Sequence, residues 1–195
     1  VAADASGHAV VVWRQNGNGP FSTVQANRYV PGSGWAAAQT QVEPADAAAA
    51  AGYSLTPQLA LNADGHAVVV WSKNTATREN VLASSFSPTT GWLAAPVLLE
   101  NQDLQDAQDP QVGLDALGNA TAVWRQTAGP SAVNIWEARY TPAGGWAAAR
   151  QTETGSTTTN AYEPTVRVAP NGTAVIGWRN FVSGVGSTQW TRFFQ

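Results

Sequence analysis

Three arginines stand directly after a tryptophan: Arg14, Arg125 and Arg179 follow Trp13, Trp124 and Trp178. Two carboxylates, Asp109 and Glu163, stand directly before Pro110 and Pro164, with Thr56 before Pro57 in the equivalent place. Guanidinium and carboxylate groups at recurring offsets suit two tasks. One is an ion pair that locks neighbouring repeats together. The other is a ring of Arg groups that hydrogen-bond carboxylates or sugar hydroxyls. Glycoside hydrolysis also needs two carboxyl groups across a scissile bond, and Asp109 with Glu163 would serve, but their repeat position explains them without catalysis. Glu100, Asp103, Asp106 and Asp109 fall in one stretch; without a Gly or an EF-hand pattern, a solvated acidic loop is expected there rather than a Ca²⁺ site. His8 and His66 occupy the same repeat position and make no metal site by themselves. No metal and no cofactor is expected.

The elements that position these groups come from an internal repeat, which must be read before local structure. Four segments align: VAADASGHAVVVW, LALNADGHAVVVW, VGLDALGNATAVW and VRVAPNGTAVIGW, ending at Trp13, Trp71, Trp124 and Trp178. A second mark follows the first three, as YVPGSGW, FSPTTGW and YTPAGGW, ending at Trp35, Trp92 and Trp146. Each repeat reads as four short strands. The turn between strands one and two opens with Asp4, Asn62, Asp115 or Ala169 and closes with Gly7, Gly65, Gly118 or Gly172. The Asp or Asn can bond the backbone two residues on, and the Gly supplies positive φ. Asn119 and Asn171 match glycosylation sequons, but turn chemistry already accounts for both. Strand three ends on an aromatic residue, and a Pro–Gly turn leads to strand four at the second Trp.

Four strands per repeat of this length predict an all-β fold, a β-propeller of four-stranded antiparallel blades. The units fall at about 1–54, 55–107, 108–161 and 162–195, in one repeat domain. Strand two, as in His66-Ala-Val-Val-Val-Trp71, is apolar on both faces, as burial between two neighbouring blades demands. A β-sandwich is the runner-up. The Ala47–Ala51 stretch reads as loop. The last blade is expected to lack its outer strand, leaving an edge open to strand completion or self-association. The short turns lie on one face of the propeller, and the longer, variable loops on the other are the expected functional face.

Composition narrows the classes. The 195 residues carry a net charge of −3, 12% charged residues and 35 Ala. The charged fraction is about half the usual quarter. Ten dispersed basic residues argue against nucleic acid, and no apolar run approaches the roughly 18 residues of a membrane span. The absence of Cys excludes disulfides, thiolate zinc and a cysteine nucleophile. The missing initiator Met suggests a processed chain or an excerpt.

On the motif P-x-V-x-x-D-x-x-G-x-A-x-A-V-W…A-R-Y-x-x-x-G-G-W, fullest from Pro110 to Trp146, the chain resembles bacterial extracellular propeller repeat proteins. That resemblance implies a secreted, periplasmic or cell-surface location. The strand, turn and Gly-Trp layout is also similar to fucose-binding propeller lectins, whose sugar sites between blades use an Arg, a Glu and a Trp. Glu137 and Arg139 occur together in one repeat only, with Ala26 and Ala83 at the Glu137 position. Sialidase-type propellers share architecture alone, because the Gly118-to-Trp124 spacing does not match their Asp-box. Arg14, Arg125 and Arg179 supply the three arginines of a sialidase, though at repeat-equivalent positions.

The strand-two tryptophans are expected to pack between blades, whereas Trp136 and Trp190 break the repeat pattern and are candidates for a site. There is no G-x-S-x-G elbow, H-E-x-x-H, P-loop or dinucleotide fingerprint. The expectation is therefore a non-catalytic binding or scaffold propeller, meeting a protein or glycan at the variable face. Its candidate ligand residues are Arg14, Arg125, Arg179, Asp109, Glu163, Trp136, Glu137 and Arg139. The alternatives are a lectin with inter-blade sites near Arg125, Trp136, Glu137 and Arg139, and a sialidase-like or other glycoside hydrolase fragment.

Overall fold

A computed structural model of the chain describes residues 1–16, 21–43, 52–75, 77–100, 105–127, 132–152, 160–182 and 185–193. Among these there is no helix. The first repeat contributes β1 (Ala2–Ala3), β2 (Ala9–Asn16), β3 (Ser22–Val30), β4 (Gly34–Trp35) and β5 (Thr40–Gln41). The second contributes β6 (Gly52–Leu61), β7 (Ala67–Thr75), β8 (Glu79–Ser87), β9 (Gly91–Trp92) and β10 (Val97–Leu98). The third contributes β11 (Ala107–Leu114), β12 (Ala120–Thr127), β13 (Val133–Thr141), β14 (Gly145–Trp146) and β15 (Arg150–Gln151). The fourth contributes β16 (Asn160–Val168), β17 (Ala174–Val182) and β18 (Val185–Phe193).

Consecutive strands within each repeat pair antiparallel, so each repeat is one blade of a propeller-like, all-β fold. The first strands β1, β6, β11 and β16 pack against one another in that order and form the inner edge. Among the described residues β18 pairs only with β17, so the last blade has no outer strand there. The expected fourth strand is split in two in the other blades. Gly34–Trp35 pairs with the end of β3, the chain leaves the ladder through Ala36, and Thr40–Gln41 rejoins it near the middle of β3. What fixes the first half is a cross-strand aromatic pair. Tyr29–Trp35, Phe86–Trp92 and Tyr140–Trp146 hold their rings 5.5, 5.4 and 5.3 Å apart, in tilted or edge-on contact.

The turns form as their residues require. Gly7, Gly65, Gly118 and Gly172 take φ of 83°, 79°, 84° and 85°, which costs a glycine nothing sterically. Asp4 Oδ1 accepts hydrogen bonds from the Ser6 and His8 amides, and Asn62 and Asp115 do the same in the next two blades. Burial alone would raise the Asp4 carboxyl. The hydrogen bonds from the His8 side chain and from the His8 and Ser6 amides outweigh it and hold the group below its ordinary value. This contribution is present above the unfolded carboxylate pKa and is lost as pH falls through the lowered one.

Strand two is buried on both faces where a blade has two neighbours. In β7, Val69 and Trp71 join Val24, Ala26 and Val42 of the first blade, while Val68 and Val70 join Ala120, Ala122 and Trp124 of the third. Val123 of β12 then meets Ile176 and Trp178 of the fourth. At the end of the stack the pattern reverts to alternation: Ile176 is fully buried and Val175 is 39% exposed. The inner edge is tight. A Cβ on Gly113 of β11 would lie 2.6 Å from Val168 Cγ2 of β16, so these two strands approach as closely as they do because residue 113 has no side chain. Gly113→Val is expected to lower stability by about 1–3 kcal/mol, the range for overpacking a filled site, read as a lower urea midpoint with unchanged slope.

Candidate functional site

The first strands of the second, third and fourth blades each carry a bulge at an X-Pro dipeptide. The pairing register shifts between Leu55 and Gln58, between Gln108 and Gln111, and between Tyr162 and Thr165. Proline has no N–H to give the ladder, so a bulge accommodates it. The residues before the prolines are Thr56, Asp109 and Glu163, at φ of 29°, 53° and 54°. They are the only non-glycine residues with positive φ among those described. A left-handed conformation is costly for any side chain and doubly unfavourable before proline. The strain re-aims three side chains at the same end of three adjacent inner strands.

Two of those side chains are carboxylates, and each meets the arginine after the strand-two tryptophan. Arg125 Nε donates to Asp109 Oδ2 at 2.5 Å. Arg179 Nη1 lies 3.2 and 3.3 Å from the two Glu163 oxygens. Both carboxylates stay open to solvent, with side chains 56% and 65% exposed. The ion pairs expected to lock neighbouring blades are thus within one blade, because the bulge sets Asp109 and Glu163 beside the adjacent strand of their own sheet. The link across blades is made by guanidinium faces: Arg125 lies 5.7 Å from the Tyr162 ring centre, and Arg14 lies 5.7 Å from that of Tyr53. Tyr162 in turn meets Phe181 edge-on at 5.8 Å, and Arg179 lies over Phe181 at 5.0 Å. Asp109, Arg125, Tyr162, Phe181, Arg179 and Glu163 therefore form one connected series. It offers two accessible carboxyl groups, with aromatic faces and N–H donors between them.

The other candidate residues are not brought to this end. Glu137 is fully buried, ion-paired to Arg150 and 4.0 Å from Arg139 Nε. These three line a small cleft of about 240 Å³. Trp136, next to Glu137 on the strand, turns to the opposite face and packs in the core shared with the second blade. Trp136 and Glu137 cannot share one ligand, so the Arg-Glu-Trp grouping expected of an inter-blade lectin site is divided between two faces. Trp190 is 69% exposed on β18. In the acidic stretch, Glu100 accepts the Val81 amide at 2.9 Å and Asp106 accepts the Glu79 amide at 3.0 Å. Asp103 lies outside the described residues, as do the Ala47–Ala51 stretch and most tips of the variable loops. Among the described residues no group of three or more potential metal ligands converges.

One ion pair between blades does exist, at residues the sequence reading passed over. Glu43, at the end of the first blade, is buried and bound by Lys73 Nζ of the second. Ser54 Oγ donates to its other oxygen at 2.5 Å, and Ser22 and Ser54 exchange further hydrogen bonds across the same junction. The available signal was the glutamate recurring just after strand four at positions 43, 100 and 153. The two kinds of pair differ in energy. Lys73→Met, which strands a buried carboxylate, is expected to cost about 3–5 kcal/mol. Arg179→Gln, at an exposed pair, is expected to cost about 0–1 kcal/mol. Urea denaturation of both variants checks the contrast.

No family model and no curated protein matches this sequence. Solved structures share its fold. One is an α-L-arabinanase of Penicillium chrysogenum complexed with arabinobiose, at 12% identity and TM-score 0.56, covering 98% of this chain and 60% of that one. Another is an endo-arabinase of Bacteroides thetaiotaomicron VPI-5482, at 10% identity and TM-score 0.54, covering 100% and 73%. This chain thus spans about three fifths of the Penicillium enzyme's length. The likeness establishes the propeller-like fold. The expectation of a non-catalytic scaffold is corrected: the two solved structures named are an arabinanase and an endo-arabinase, and neither is a scaffold protein.

Proposed function

We propose that the chain forms part of a propeller that hydrolyses glycosidic bonds, with Asp109 and Glu163 as its carboxyl pair. The observation that carries this reading is the placement of two exposed carboxyls at strained pre-proline bulges of adjacent inner strands. Backbone strain of about 1–3 kcal/mol per residue persists where the surrounding structure over-determines it, and it clusters at functional sites. The arabinanase neighbours support the reaction class. In this account the more loosely held Glu163 gives its proton to the glycosidic oxygen as the C–O bond breaks. The Asp109 carboxylate draws the proton from the water that adds to the anomeric carbon. Tyr162 offers a ring face to the sugar's C–H groups, and Arg125 and Arg179 orient the carboxyls while donating to sugar hydroxyls.

Initial rates on arabino-oligosaccharides and on 4-nitrophenyl glycosides test the proposal. Asp109→Asn is expected to lower kcat/KM by about 10²–10⁴-fold on both substrate types. Glu163→Gln is expected to do so on oligosaccharides but far less on the nitrophenyl glycosides, whose leaving group needs no proton. Parental rates in both variants, or no turnover by the parent chain, would refute it.

A further inference from the structure

A second cavity lies at the other end of the molecule, at the short turns between the second and third blades. It has a volume of about 530 Å³, and its lining includes His66, Ser85, Phe86, Trp92, Gly118 and Tyr140. The repeat explains why it opens at this junction. On the third strand, Arg28, Ser85, Arg139 and Arg192 pair opposite Val10, Val68, Thr121 and Val175 and so occupy one repeat position. Between the first and second blades the corresponding space is filled. Arg28 lies over the Phe86 ring at 5.4 Å, and its Nη2 is 3.4 Å from where a Cβ on Gly65 would stand. Between the second and third blades the ring at the Phe86 position is Tyr140 and the turn glycine is Gly118. Ser85 replaces the arginine there, and its Oγ reaches only the Tyr140 hydroxyl, at 3.3 Å. A long cation at this one position has become a hydroxyl, and the groove is what its loss leaves.

We infer that this groove is a second binding site, for a neutral saccharide unit, separate from the carboxylate end. The volume falls within the range of about 300–1,000 Å³ typical of small-molecule sites. Trp92, Phe86 and Tyr140 bring ring faces for the apolar side of a sugar. The Ser85 and Tyr140 hydroxyls and the His66 imidazole supply donors and acceptors for its hydroxyl groups. Among the described residues no Asp, Glu, Lys or Arg lines the groove, so they offer no fixed charge to balance a charged ligand, and the combination selects an uncharged polyhydroxylated one. The site goes beyond the proposed hydrolysis: it is an anchor for a chain of sugars on the face opposite the reacting groups.

Isothermal titration of arabinobiose, xylobiose, cellobiose and maltose into the parent chain and three variants tests this. Ser85→Arg restores the residue found in the other three repeats, and it is expected to keep the parental unfolding midpoint while weakening saccharide binding at least tenfold. Tyr140→Phe removes one hydroxyl without changing the ring and is expected to weaken binding several-fold; it decides the matter alone if Ser85→Arg does not fold. Asp109→Asn is expected to retain binding at the groove. If none of the four sugars binds, or if Ser85→Arg and Tyr140→Phe bind as the parent does, the groove is not a saccharide site. Binding lost in Asp109→Asn but kept in Ser85→Arg would place the sugar at the carboxylate end, overturning the groove and leaving the catalytic reading standing.

Discussion

The double-sided burial of strand two is the constraint on which the rest of the structure depends. Trp71 and Trp124 are both fully removed from solvent. An aromatic side chain of this size buries about 150–250 Å², worth on the order of 4–6 kcal/mol at the usual area coefficient and as an upper bound. That energy is available only if another sheet lies on each face, so one blade cannot be stable in isolation and the repeats must stack. Stacking then fixes everything at the two ends. It brings Arg125 over Tyr162 at one end and opens or fills the inter-blade groove at the other. Val175, on the uncovered face of the last blade, shows what the same position looks like without a neighbour.

Strain and charge are distributed unevenly on that frame. The buried Glu43–Lys73 pair with Ser54 sits at a blade junction and has its hydrogen-bonding capacity taken up by neighbours, as a buried charge must to be tolerated. Asp109 and Glu163 are the reverse case: they are exposed, on costly backbone, and balanced by one arginine each. Such pairs add little to stability, and the strain they sit on subtracts from it. Folding stability alone therefore gives no account of carboxylates kept in that condition at adjacent blades. Thr56, at the same φ-positive position, carries no carboxyl, which confines the pair to the third and fourth repeats.

Much of the fold was legible because it is written in repeated local signals. The turn glycines at 7, 65, 118 and 172, the Asx residues ahead of them and the aromatic–Trp couples each point to one geometry, and each is found in it. The two-part outer strand was not legible, since the Ala-rich stretch from Ala36 has neither the alternation of a strand nor the breakers of a turn. Of the site, the recurrence of Arg125 with Asp109 and Arg179 with Glu163 was visible. Their pairing within a blade was not, because it depends on a bulge that shifts the register by less than the pattern resolves. Glu137 and Trp136 looked like neighbours for one ligand, but alternation along a strand sends adjacent side chains to opposite faces. Asp109 and Glu163 were visible as a possible carboxyl pair, but their recurrence before proline accounted for them equally well without catalysis.

The most direct test of this account is a crystal structure of the Glu163→Gln variant grown with arabinobiose and related neutral oligosaccharides. The account predicts a sugar lying against Tyr162, with its glycosidic oxygen within hydrogen-bond reach of the residue-163 side chain and its anomeric carbon facing Asp109. A sugar bound elsewhere with that end empty, or one whose glycosidic bond points away from both residues, would contradict it.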